Sequence, residues 1–258
     1  MVTYLNKQSA GNSTVGTTLP RIIELVGPAG SGKTTLSKAL CKLESRPTVM
    51  GHDIELRQPR HLPQFFATLP RLLPVLANPR NWNGSNGNRA YTWDEIKALA
   101  YACGWYRVFQ AQAAEANRLL LLDHGPIFRL AKLYSYGPPQ LHDPAMQPWW
   151  NRSLKQWSTT LDMVIWLDAP NEVLEERIKN RNQRHVLKDK SGEDVDSFLN
   201  TYRSTYQYLL GRQMAEHGLR VVRFDTSQTA IEQVISEVQK LCTSPLAPKT
   251  KAKKQNDE

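Results

Sequence analysis

Apolar positions fall into two alternating kinds of run. Short, nearly unbroken apolar stretches lie at residues 22–26 (Ile22, Ile23, Leu25, Val26), Thr48–Met50, Leu119–Asp123, Met163–Leu167 and Leu219–Phe224. Their composition is that of strands buried on both faces of a parallel sheet. Between them apolar residues return every three or four positions, the period of an amphipathic helix. The sets are Leu36, Ala39, Leu40 and Leu43; Ile96, Leu99, Cys103 and Tyr106 within Asp94–Ala116; a shorter one over 171–181; Leu199, Tyr202, Tyr206 and Leu209 within 195–216; and Ile231, Val234, Ile235, Val238 and Leu241. Strands alternating with helices predict an α/β fold, its mainly parallel sheet covered on both faces.

Two stretches depart from the alternation. Residues 61–80 mix Leu62, Phe65, Phe66, Leu69, Leu72 and Leu73 with Pro63, Pro70, Pro74 and Pro79. Prolines at that density predict short, bent helical pieces. Residues 78–93 form an Asn/Gly/Trp loop and 137–148 a proline-rich connection. Loops of that length are commonly lids or binding segments, with a disordered insertion as the alternative for 81–90. Residues 1–20, rich in Ser, Thr, Asn and Gly, predict a flexible leader. Residues 244–258, with Lys249, Lys251, Lys253 and Lys254, predict a disordered tail. One domain is expected over 21–243.

Bulk properties narrow the chemistry. With 258 residues and 40% hydrophobic content, the chain can build one large domain, with or without a small subdomain. No apolar run approaches the roughly 20 residues of a bilayer span, and the polar N-terminus has no apolar signal core, so a cytoplasmic location without membrane attachment is expected. Cys41, Cys103 and Cys242 have no metal or redox spacing; Cys41 and Cys242 read as buried thiols. The net charge of +9 suits nucleic acid or an anionic small molecule. Many arginines fall beside the motifs below and no basic stripe is interleaved with aromatics, which favours the small molecule.

Residues Gly27-Pro28-Ala29-Gly30-Ser31-Gly32-Lys33-Thr34 match the phosphate-loop pattern G-x-x-x-x-G-K-[ST], between a predicted strand and a predicted helix. Glycines let successive N–H groups turn toward phosphate oxygens, and the helix start adds its unpaired N–H groups and positive dipole end. Lys33 is expected to reach the β- and γ-phosphates and the Thr34 hydroxyl to hold Mg²⁺, with Thr35 completing the binding segment. The pattern implies binding of a nucleoside triphosphate.

In open parallel sheets ligands gather at the carboxyl ends of strands. Those ends carry His52, Asp53 and Glu55; Asp123 and His124; Asp168; and Asp225 and Thr226. Asp123, after four leucines, is placed to hold Mg²⁺, or else to cap a helix entered through Gly125-Pro126. Asp53 is the candidate base or anchor for an acceptor hydroxyl, with Glu55 and His52 competing. Arg177 and Arg181 share a helix face, and Arg184 follows; together they suit the charge that spreads over phosphoryl oxygens, in a lid that excludes water. A solvated helix paired with Glu175 and Glu176 is the alternative. Trp82, Tyr91 and Trp93 could stack a base or anchor the loop.

The phosphate loop, Asp53, Arg107 on the long helix, Leu119–Pro126, Leu167-Asp168-Ala169-Pro170 with Arg177 and Arg181, and Phe224-Asp225-Thr226 occur in an order that resembles the P-loop nucleoside and nucleotide kinases. The similarity is to the thymidylate kinase and deoxyribonucleoside kinase group and covers residues 21–242. It implies a P-loop three-layer sandwich with a five-stranded parallel sheet in the order 2-3-1-4-5 and an arginine-bearing lid over about 178–196. It further implies that Arg107 contacts the acceptor and that the lid arginines contact donor phosphates. The family carries Asp-Arg or Glu-Arg where this chain has Asp123-His124; Arg129, one turn on, is the candidate replacement. The implied activity is transfer of the γ-phosphate of ATP, with Mg²⁺, to a small nucleoside- or nucleotide-like acceptor. A sugar, antibiotic or other alcohol as acceptor, and a nucleotide-binding regulatory ATPase, stay open, as does a homodimer.

Overall fold

The computed structural model describes residues 2–4, 19, 21–43, 48–51, 62–76, 89–114, 119–181, 186–214 and 217–244. Asp53 with its competitors His52 and Glu55, Arg184, Trp82 and the Lys-rich tail lie outside them.

The strands are β1 (Val2–Tyr4), β2 (Ile22–Val26), β3 (Thr48–Gly51), β4 (Leu119–Asp123), β5 (Met163–Asp168) and β6 (Arg220–Asp225). The helices are α1 (Lys33–Leu43), α2 (Leu62–Leu76), α3 (Trp93–Ala114), α4 (Pro126–Tyr136), α5 (Gln147–Thr160), α6 (Asn171–Asn180), α7 (Gly192–Tyr206) and α8 (Ile231–Thr243). They build one six-stranded sheet in the order β3-β4-β2-β5-β6-β1. Counted from β2, the parallel strands stand 2-3-1-4-5, with β2 flanked by β4 and β5. The expected count of five strands is corrected to six. Val2–Tyr4 of the presumed leader pairs antiparallel with Val222–Phe224 and covers the β6 edge, an edge that would otherwise present unpaired backbone groups.

The period of two along each strand sorts side chains into two layers. Ile22, Val26, Leu120, Leu122, Val164 and Trp166 join the core beneath α2, α3, α4 and α5. Ile23, Leu25, Leu119, Leu121, Ile165 and Phe224 join the core beneath α1 and α8. The four-leucine run is therefore apolar throughout because both faces are covered. Tyr101 stacks between Trp105 and Trp157 in the larger core, and Trp157 donates its indole N–H to the Ala102 carbonyl at 3.0 Å.

Several elements differ from expectation. Residues 62–76 form one continuous helix rather than bent pieces. Phe65, Thr68, Leu72 and Val75 make its buried stripe, whereas Pro63 and Pro70 face solvent, where water can satisfy a carbonyl that a proline leaves without its helical donor. The proline-rich connection holds two 3₁₀ turns, Pro139–His142 and Pro144–Met146, followed by α5, an element absent from the sequence reading. The predicted 195–216 helix begins earlier, at Gly192 after an N-cap hydrogen bond to Ser191 Oγ, and ends in a π-helical stretch, Gln207–Met214. Cys41 is exposed rather than buried, while Cys242 is buried. Among the described residues no helix is long and apolar enough to cross a membrane.

Candidate functional site

The loop between β2 and α1 is set by its glycines. Gly27, Gly30 and Gly32 have φ of 146°, 81° and 94°, values that side chains rarely adopt. A Cβ on Gly27 would also lie 2.0 Å from the Leu167 carbonyl oxygen, so the loop can approach the end of β5 only with glycine there. Leu36 N–H donates to Gly32 O at 3.0 Å, starting α1 directly from the loop. Lys33 folds back, its Nζ donating to the carbonyls of Gly27 and Pro28 at 2.8 Å each. Burial lowers its pKa to about 8, with Asp123 opposing and Arg181 reinforcing that shift. An ammonium so poorly hydrated gains strongly from an anion brought beside it.

Around the loop opens a cavity of about 930 Å³. All of Gly27–Thr35 line it, as do Arg177, Arg181 and the segment Thr226–Ile231. Arg177 holds the Thr226 hydroxyl and carbonyl at 2.9 and 2.8 Å. Lys188 donates to the Arg181 carbonyl, tying the far side of the predicted lid back to the end of α6. Leu187, Val195 and Leu199 pack with Leu174 and Ile178 in a small third core beneath this segment.

Two acids at strand ends turn out to have different jobs. Thr34 Oγ1 donates to Asp123 Oδ2 at 3.2 Å, while Asp123 Oδ1 is buried with no hydrogen-bond partner among the described residues. Asp123 does not cap α4: the N-cap residue is Gly125 and no side chain of the cap serves it. Glu24, from the middle of β2, does so instead, its carboxylate oxygens accepting the Ile127 and Phe128 N–H groups at 2.9 Å. Desolvation raises the Glu24 pKa to about 8 against those two hydrogen bonds and the pull of Arg129. Asp168 is buried between Arg203, at 3.0 Å, and Arg223, at 2.6 Å, and so is engaged in the structure of the β5 end.

A second cavity, of about 390 Å³, lies between the start of α3 and one face of α4. His124 and Phe128 line both cavities and form the wall between them. Their rings are 4.5 Å apart, and His124 has φ of 61°, a left-handed backbone uncommon outside glycine. The entry to α3 is a capping box: Glu95 accepts from Thr92 N–H at 2.7 Å and Thr92 Oγ1 accepts from Glu95 N–H at 3.3 Å.

Of the residues singled out in the sequence, the phosphate-loop set, Arg177 and Arg181 converge on the first cavity, and Arg129 lines the second. Arg107 lines neither: it is exposed and its Nε donates to Tyr106 Oη at 3.1 Å. Tyr101, Trp105 and Phe109 take the inward face of α3 and turn position 107 outward. Tyr91 is half-buried and Trp93 packs edge-on against Phe65, so neither lies in the first cavity. Glu24 and the wall residue Phe128 escaped the sequence reading. A lone acid within a buried strand was the available signal for Glu24.

No family model and no curated protein sequence matches the chain. Among solved structures it is similar to the deoxyadenosine kinase of M. mycoides with bound dATP, at 16% identity over 85% of this chain and 98% of that one, with a TM-score of 0.47. It is also similar to the YorR protein of Bacillus subtilis in complex with phosphorylated GDP, at 18% identity over 84% and 92% of the two chains, with a TM-score of 0.46. At that identity the chemistry has to be read from the residues themselves.

Proposed function

We propose that the chain is an ATP-dependent phosphotransferase of the P-loop nucleoside/nucleotide kinase type, which moves a γ-phosphoryl group to a small acceptor. One observation supports this reading: the glycine loop, Lys33, Thr34, Arg177 and Arg181 line one cavity, Asp123 accepts a hydrogen bond from Thr34 beside it, and a second cavity shares His124 and Phe128 with the first. A donor site with a neighbouring acceptor site is what group transfer needs and plain hydrolysis does not.

The loop N–H groups and the start of α1 bind the β- and γ-phosphates, and Lys33 moves from the Gly27 and Pro28 carbonyls onto them. Thr34 Oγ1 and the buried Asp123 Oδ1, which has no hydrogen-bond partner among the described residues, are hard oxygen donors that would hold Mg²⁺. When bound, the ion neutralises charge on the phosphates. An acceptor oxygen in the second cavity forms the new P–O bond as the bridging P–O bond breaks, its electron pair leaving with the nucleoside diphosphate. The acceptor proton passes to a carboxylate, for which Asp53 is the candidate, and Arg184 is a candidate third cation of the lid. Arg177 and Arg181 meet the charge that spreads over the phosphoryl oxygens in the transition state.

The test is calorimetry with Mg²⁺-ATP and Mg²⁺-GTP, followed by transfer from γ-labelled ATP to a panel of nucleosides, nucleotides and sugars. Saturable nucleotide uptake and labelled acceptor are expected. Label appearing only as free phosphate at every acceptor concentration would refute transfer and leave an ATPase.

A further inference from the structure

Beside the start of the phosphate loop lies a buried hydroxyl that the steps above do not use. Tyr206 is the last residue of α7, where the helix passes into the π-helical stretch Gln207–Met214. Tyr202, one turn earlier on the same face, lines the first cavity. Tyr206 continues that face inward and is fully buried. Its ring centre lies 6.2 Å from that of Trp166 and 6.0 Å from that of Tyr202, contacts that fix where the hydroxyl sits. Trp166 pairs with Val26 across β5 and β2, and Gly27 follows Val26, so the ring stands next to the first residue of the loop.

Buried polar atoms in folded proteins find partners, and one left without a partner costs stability. Among the described residues Tyr206 Oη makes no full hydrogen bond. Burial pushes the phenol well above its ordinary pKa; Tyr202, Glu24 and Asp123 add to the rise, and the Gly27 N–H opposes it as a hydrogen-bond donor. The phenol is therefore neutral, and the Gly27 N–H faces its oxygen in a geometry short of a complete hydrogen bond. Gly27 has no side chain to hold it, so its main-chain groups alone fix its place. Its carbonyl is tied to Lys33 Nζ at 2.8 Å, a tie that ends when Lys33 turns to phosphate.

We infer that Tyr206 is a positioning residue for the donor phosphates: its phenol oxygen takes up the Gly27 N–H as Lys33 leaves the Gly27 carbonyl for the triphosphate, and so holds the start of the loop. This deepens the phosphotransferase reading and rests on its donor site. Tyr206 lines neither cavity and takes no part in the bond changes given above. Its hydrogen bond is completed only with nucleotide bound, so its contribution falls on binding and not on the fold. A hydroxyl that merely packs would show the reverse, or nothing.

The experiment uses the full chain and Tyr206→Phe, which keeps the ring against Trp166 and Tyr202 and removes only the oxygen. Without nucleotide, the urea midpoint of the variant should equal or exceed that of the wild type, because a poorly bonded buried hydroxyl has been removed. In calorimetry with Mg²⁺ and a non-hydrolysable ATP analogue, the variant should bind about fivefold more weakly, the weight of one neutral hydrogen bond. Hydrogen exchange of the Gly27 amide in the nucleotide-bound protein should be faster in the variant. Unchanged affinity, or equal Gly27 exchange, overturns the inference. So does a variant that loses stability or fails to fold without nucleotide, since the hydroxyl would then belong to the fold. Heat from the wild type with the same analogue separates these failures from failure of the donor site itself.

Discussion

Glu24→Gln tests the site's buried architecture through pH. The Glu24 carboxyl is wholly buried, and its pKa rises from 4.5 to about 8 in the folded protein, chiefly by desolvation. Between those values the unfolded chain loses the proton and the folded chain keeps it. Its contribution to stability is therefore complete below pH 4.5 and is lost as the pH rises through 8. A separation of 3.5 pK units corresponds to about 5 kcal/mol over the whole window, and at most about 1.4 kcal/mol per pH unit within it. Gln is nearly isosteric: its oxygen can accept one of the Ile127 and Phe128 N–H groups, but its amide group meets the other, a cost of about 1–3 kcal/mol at every pH. Urea unfolding of both proteins at pH 5, 6, 7 and 8 isolates the group, because the other titrations cancel in the difference. The variant should be the weaker protein at pH 5 and gain on the wild type at each step upward. A difference that stays constant, or moves the other way, would mean that Glu24 is ionised in the fold and that the reasoning from burial is wrong.

Other outcomes follow from single contacts. Lys33→Ala should cut phosphoryl transfer about a hundredfold or more, measured with γ-labelled ATP, with little change in the urea midpoint; proportional loss of both would contradict a role in phosphate binding. Gly27→Ala forces a Cβ to 2.0 Å from the Leu167 carbonyl at a φ of 146°, and should cost about 3 kcal/mol or more together with nucleotide binding. A near-neutral result in urea would rule out that loop conformation. Asp168→Ala strands Arg203 and Arg223 at the end of β5, and should lower unfolding stability by about 3 kcal/mol; a loss under about 0.5 kcal/mol would place the pair in solvent.

Legibility varied with how local each signal was. The strands at 22–26 and 119–123 and the phosphate loop could be read because a buried parallel strand and a phosphate-cradling turn are each written in adjacent residues. Helix α5 was also written locally, with Trp150, Leu154, Trp157 and Leu161 at helical spacing, but the prolines before it masked the pattern. Helix α2 was misread for the opposite reason: Pro63 and Pro70 suggested breaks, and only packing shows that they lie on the solvent side. Arg107 was assigned by resemblance, and the aromatic face of α3 turned it away from the cavities.

From residue order alone came the alternating α/β plan and the triphosphate-binding turn, since periodicity and short motifs are properties of neighbours in the chain. Tertiary structure decided which acid does what. Glu24 meets the start of α4 across 103 residues, which relieves Asp123 of capping and leaves its carboxylate to the hydrogen bond from Thr34. It also decided that His124 and Phe128 line both of two neighbouring cavities. Such assignments depend on side-chain direction and on partners brought together by the sheet, and no local spacing encodes them.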